Sequence, residues 1–166
     1  MDLGTPHLIL ALVAAQRLIE LGVAARNTRR LVAAGGVEIG AGHYPLLVAL
    51  HAGWLVAQAA VVPAGVPIVW GLIALFVALQ AGRLWVIATL GRFWTTRIVT
   101  VPGAPLVRGG PYRWLRHPNY WIVCAEVAVL PLAFGLWGLA AVFTVLNALL
   151  LRHRIAIEEA ALSGRR

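Results

Sequence analysis

Four apolar stretches fill most of this chain, and the last of them constrains the fold most. Residues 6–25, 44–62 and 67–90 are each about 19 to 24 residues of mostly apolar sequence. A hydrocarbon core about 30 Å thick takes roughly 20 helical residues, so each stretch is expected to cross a bilayer once. Residues 119–151 are too long for one crossing. As a continuous helix they would extend about 50 Å at about 1.5 Å per residue. Pro131, Gly135 and Gly138 lie near the middle of that stretch. Proline and glycine interrupt helices where neighbouring groups can satisfy the freed backbone. The stretch therefore reads as a tight helical hairpin whose arms, about 16 residues each, are short for a full span. The expectation is an all-α polytopic membrane protein of about five transmembrane helices. Residues 1–166 form one domain: three spans in 1–90, then a loop, the hairpin and a C-terminal helix in 91–166.

Composition agrees. The chain is 61% hydrophobic and 12% charged, against about 45–50% apolar residues in soluble domains, which excludes a disordered linker and an ordinary soluble enzyme. All 14 basic residues are arginine, against six acids, for a net charge of +8. Alone, that balance would suggest nucleic acid. The placement of the arginines argues otherwise. Arg26, Arg29 and Arg30 follow the first span. Arg92, Arg97, Arg108, Arg113 and Arg116 follow the third, and Arg152, Arg154, Arg165 and Arg166 follow the last. With five spans all of these fall on one side, which the positive-inside rule makes cytoplasmic. The N-terminus is then outside and the C-terminus cytoplasmic, in a bacterial plasma membrane. Anionic lipid headgroups satisfy such a face, so no nucleic-acid partner is expected. The start of the chain lacks the basic n-region and cleavage context of a signal peptide. The single cysteine, Cys124, excludes an internal disulfide and a multi-cysteine metal site, and no histidine spacing suggests a metal.

Four charges remain inside the spans: Arg17, Glu20, Arg83 and Glu126, with His51 at similar depth. Charged side chains in lipid are costly and usually pair or line a polar cavity. Two readings stay open: structural ion pairs holding a small bundle together, or a substrate cavity lined by Arg17, Glu20, His51, Arg83 and Glu126.

Residues 91–120 carry five arginines, four prolines and five aromatics. Arginine forks suit carboxylates and phosphates, and prolines favour a preformed loop. The dense core is Gly110-Pro111-Tyr112, then Arg116-His117-Pro118-Asn119-Tyr120. After the last span comes Arg154-Ile155 with Glu158-Glu159. These two motifs around a hydrophobic hairpin resemble the isoprenylcysteine carboxyl methyltransferase family of integral membrane methyltransferases. Arg17, Glu20, Ala25-Arg26-Asn27, Glu38, His43-Tyr44-Pro45 and His51 are similar to a bacterial branch associated with type III polyketide synthases, which O-methylates alkylpyrones or alkylresorcinols. Ile122 stands where prenylcysteine enzymes typically carry glycine, which turns the resemblance toward that branch.

The resemblance implies S-adenosylmethionine as cofactor, S-adenosylhomocysteine as product, and a membrane-dissolved lipid as substrate. It places Tyr112, Arg116, His117, Pro118 and Tyr120 around a cytoplasmic cofactor pocket. Arg154 and Glu158 would close the pocket, with Glu159 in support. An arginine fork suits the cofactor's carboxylate, and a carboxylate suits its cationic groups. No Gly-x-Gly-x-x-Gly follows a strand, which excludes a soluble Rossmann methyltransferase. A carboxylate acceptor is already ionised, whereas a phenol benefits from a base. His51, Glu20 and Glu126 are the candidates, and Arg154, Glu158, His51 and Glu126 are the catalytic set. The competing classes are a small membrane transporter, for which no discontinuous-helix repeat is evident, and a non-enzymatic membrane scaffold.

Overall fold

The structure, a computed structural model, describes residues 3–162; Asp2, Arg165 and Arg166 lie outside the described residues. Five helices run up and down in sequence. They are α1 (Thr5–Ala33), α2 (Tyr44–Val61), α3 (Trp70–Leu90), α4 (Pro118–Ala133) and α5 (Trp137–Leu162). Four are long and apolar enough to cross a membrane; α4, at 16 residues, is shorter. The outer surface is apolar, with Leu12, Leu18, Trp121 and Leu149 among its exposed side chains. Contiguous apolar surface of this extent fits a lipid environment.

The hairpin forms where the 119–151 stretch predicts it. Leu136 N–H bonds the Pro131 carbonyl (2.9 Å) and Gly135 N–H bonds that of Leu132 (3.0 Å). These are the two bonds of a Schellman cap, whose left-handed position Gly135 fills with φ +71°. Pro131 has no N–H to offer the Val127 carbonyl one turn back. The Trp54 indole of α2 donates to that carbonyl instead, at 3.1 Å. A short α4 is tolerated because it is enclosed: it packs on both α3 and α5, and eight of its 16 residues are buried. The main core gathers Leu10, Trp54, Phe76, Leu130, Phe134 and Leu151 around it.

Three features depart from the sequence expectations. First, α1 continues to Ala33, so Arg26, Arg29 and Arg30 ride on the helix rather than on a loop. Arginine is a good helix former, and no glycine or proline lies between Gly22 and Gly35. Second, the far hairpin arm and the C-terminal helix are one unbroken helix of 26 residues: Gly138 falls in its first turn without interrupting it, and no glycine or proline follows before Leu162. Third, β1 (Val37–Ile39) pairs antiparallel with β2 (Ile98–Thr100), Glu38 opposite Val99. This ladder ties together the α1–α2 and α3–α4 connections at the arginine-rich end of the bundle.

Candidate active site

Two polar assemblies occupy the bundle. The inner one joins α1, α3 and α4. Glu20 Oε2 accepts from Arg17 Nη1 (2.9 Å) and Arg83 Nε (2.8 Å). Glu126 Oε2 accepts from Arg17 Nη2 (2.8 Å) and Arg83 Nη1 (3.3 Å). The other carboxylate oxygens accept from glutamines: Gln16 reaches Glu20 Oε1 at 3.0 Å and Gln80 reaches Glu126 Oε1 at 2.8 Å. Each acid thus bridges both arginines, and every carboxylate oxygen is engaged. His51 is not bonded into this network; its Nδ1 lies 2.8 Å from the Leu47 carbonyl.

The outer assembly is a cavity of about 470 Å³ at the arginine-rich end. Its walls come from the loop after α3, from β2, and from the start of α4 and the last turns of α5. Tyr112, Arg116, His117, Tyr120, Arg154 and Glu158 all line it. Pro118 is buried at the first turn of α4, a position that suits proline because its missing N–H has no intrahelical partner there. It does not line the cavity. Glu159 sits behind His117, its Oε1 3.5 Å from Nε2. None of Arg17, Glu20, His51, Arg83 and Glu126 lines the cavity. Trp94 stands between the two assemblies: it lines the cavity, and Arg83 Cζ lies 5.8 Å from its ring centre.

Tyr120 organises one wall. Its hydroxyl donates to Glu158 Oε2 at 2.5 Å and accepts from Arg154 Nε at 2.8 Å, and its ring stacks on His117 with centres 5.4 Å apart. Burial, and then the Glu158 charge, push the Tyr112 phenol above its ordinary range, so it stays protonated at neutral pH. Other lining groups are unsatisfied. Arg108 and Arg116 are exposed and make no hydrogen bond or ion pair among the described residues. Asn119 Oδ1 and Trp94 Nε1 are buried with no partner among them. Buried polar atoms are rarely left unmet, and both of these belong to residues that line the cavity.

The motif residues therefore converge on one cavity, with the two motifs on opposite sides of the hairpin. A family profile described as "Isoprenylcysteine carboxyl methyltransferase (ICMT) family" matches residues 72–164. The chain belongs to this family. Family membership makes it an integral membrane methyltransferase. The matched region covers α3, the cavity loop and the hairpin, and its last two residues lie outside the described ones. Two curated relatives extend the likeness over nearly the whole length. "Uncharacterized protein YpbQ" of Bacillus subtilis is 35% identical over 93% of this chain and 95% of its own. An "Uncharacterized protein" of Haemophilus influenzae is 28% identical over 95% and 94%. No solved structure matches.

Reading the family motifs alone overlooks part of the cavity. Trp94, Arg97, Arg108 and the strand Ile98–Thr100 line it too, as does Asn119, a motif residue given no role above. The arginines, aromatics and prolines of the 91–120 segment mark this region, but only the β1–β2 pairing shows that it folds back as a wall. Asn27 helps to hold that wall, donating from Nδ2 to the Gly91 and Trp94 carbonyls at 3.1 and 2.9 Å. Ile122, the departure noted above, packs against Gly82 of α3 and borders the small core of Ala24, Val86 and Trp94 behind the cavity.

Proposed function

We propose that this chain is an S-adenosylmethionine-dependent O-methyltransferase acting on a membrane-dissolved lipid, with the arginine-rich end facing the cytoplasm. The observation that carries this reading is the cavity itself. Its lining includes Arg108 and Arg116, which have no partner among the described residues, Asn119 and Trp94 with their unmet buried polar atoms, and the bonded Tyr120–Glu158 pair. The donor set fits the cofactor's chemistry. Arg116 and Arg108 offer forks for a carboxylate, and Glu158 offers negative charge to ammonium and sulfonium groups. Asn119 Oδ1 and Trp94 Nε1 suit the hydrogen-bonding edges of a heterocycle. When bound, the cofactor supplies a methyl group already activated as a sulfonium. The protein's share is then chiefly positioning. Arg154 fixes Tyr120, and Tyr120 fixes Glu158.

The acceptor is an oxygen of a lipid such as an alkylpyrone or alkylresorcinol, or the carboxylate of a prenylcysteine. It enters sideways between helices. A phenolic acceptor needs a base. Glu20 and Glu126 have all their carboxylate oxygens engaged by cations and amides, which leaves His51, outside the cavity lining. A carbonyl only accepts, so His51 Nδ1 donates to Leu47 and Nε2 carries the free lone pair.

The test incubates purified protein with methyl-labelled cofactor and a bacterial lipid extract, followed by mass spectrometry. Label on a phenolic or pyrone oxygen is the expected result. Label on a thioether-linked carboxylate would reassign the substrate to the prenylcysteine type. No labelled lipid from folded protein would contradict the proposal.

A further inference from the structure

His43 lies in neither motif and does not line the cavity. It is nevertheless buried, at 6% exposure, against the cavity's Arg154. The short turn Ala41–His43 before α2 delivers its ring. Gly40 makes the approach possible. Its φ is +64°, and a Cβ there would fall 2.9 Å from Ile157 Cγ2 and 3.2 Å from His43 Cε1. His43 Nε2 stands 3.5 Å from Arg154 Nη1. A guanidinium can only donate, so in this contact His43 Nε2 presents its lone pair and the ring proton sits on Nδ1, which is buried with no hydrogen-bond partner among the described residues. The titratable and charged groups around His43 are Arg154 and His153 on α5 and Glu38 on β1. Glu38 is committed to Arg97, at 2.8 and 3.0 Å. His153 meets the ring edge-on, with centres 5.9 Å apart.

We infer that His43 is a positioning residue for the cavity: as a neutral Nδ1–H imidazole it anchors Arg154, and through Arg154 it sets Tyr120 and Glu158. The relay has three links. His43 Nε2 accepts from Arg154 Nη1, Arg154 Nε donates to the Tyr120 hydroxyl, and that hydroxyl donates to Glu158 Oε2. Protonating His43 replaces the acceptor with a donor and sets a cation against Arg154. The anchor is lost, and the wall it holds loosens. The inference rests on the cavity being a cofactor site, and it adds a residue of the α1–α2 connection to that site's control.

The test uses the full chain in detergent and two readouts. Nitrogen-15 NMR of the imidazoles, with His43→Gln to assign the signal, reads the tautomer. An Nδ1–H ring with bare Nε2 at neutral pH is expected, and an Nε2–H ring would overturn the inference. S-adenosylhomocysteine affinity is then measured against pH. The wild-type protein should lose affinity as pH falls. His43→Gln should keep the neutral-pH affinity and lose the acid dependence, because an amide oxygen accepts from Arg154 but does not titrate. His43→Phe should bind about tenfold more weakly at neutral pH, the loss of one hydrogen bond to a charged group. A His43→Gln protein with the wild-type acid dependence would overturn the inference. A wild-type protein that binds at no pH would overturn the cofactor reading instead, and the tautomer would still decide whether His43 anchors Arg154.

Discussion

The inner network and the outer cavity use the same residue types to opposite ends. In the network, Arg17, Arg83, Glu20 and Glu126 cancel in charge and in hydrogen bonding, with Gln16 and Gln80 filling the remaining carboxylate positions. In the cavity, Arg108 and Arg116 have no partner among the described residues, and Asn119 and Trp94 hold unmet polar atoms. A closed network has nothing left to offer a ligand, so its worth lies in tying α1, α3 and α4 together. An open one is costly until something fills it. An intramembrane charge therefore marks function only when its partners are incomplete.

That contrast can be broken by substitution. The largest effect is expected from Glu126→Ala, which leaves Arg17 and Arg83 sharing one acid. Removing one partner of a buried pair costs about 3–5 kcal/mol. The melting temperature in detergent should fall sharply, and an unchanged value would show that the network does not hold the helices together. Arg116→Ala should do the reverse. It should leave melting unchanged while weakening S-adenosylhomocysteine binding by about 1.5–3 kcal/mol, the range for a hydrogen bond to a charged group; equal loss of fold and binding would erase the distinction.

Smaller effects refine the frame around both regions. Trp54→Phe keeps the ring but strands the Val127 carbonyl that Pro131 leaves free. A buried unmet acceptor costs about 1–3 kcal/mol, measurable as a lower melting temperature. Glu38→Gln should have the smallest effect. Its partner Arg97 is 39% exposed, and exposed pairs contribute about 0–1 kcal/mol. Thermal melting should barely move. A loss comparable to that of Glu126→Ala would make the β1–β2 clamp part of the core.

What was legible in the sequence follows from how locally each feature is encoded. The hairpin was legible because Pro131 and Gly135 act on their own backbone. The cavity motifs were legible because Arg116 to Tyr120 and Arg154 to Glu158 keep a fixed spacing along one turn or one helix face. The depths of Arg17, Glu20, Arg83 and Glu126 could be read from helix rise, but their pairing could not. Which guanidinium meets which carboxylate depends on how three helices rotate against one another. The β1–β2 ladder was hidden for a similar reason. Val37–Ile39 and Ile98–Thr100 are too short to announce themselves as strands and lie far apart in the chain. His43 was noted only within the His43-Tyr44-Pro45 run; its contact was hidden because Arg154 approaches from the last helix.

The central claim is that the outer cavity, and not the inner network, is the ligand site. Isothermal titration of S-adenosylhomocysteine into folded, detergent-solubilised protein tests it most directly, run beside Arg116→Ala. Saturable binding by the wild-type protein, weakened in Arg116→Ala at unchanged melting temperature, is the expected result. A folded wild-type protein that does not bind, or an Arg116→Ala protein that binds as well as the wild type, would contradict it.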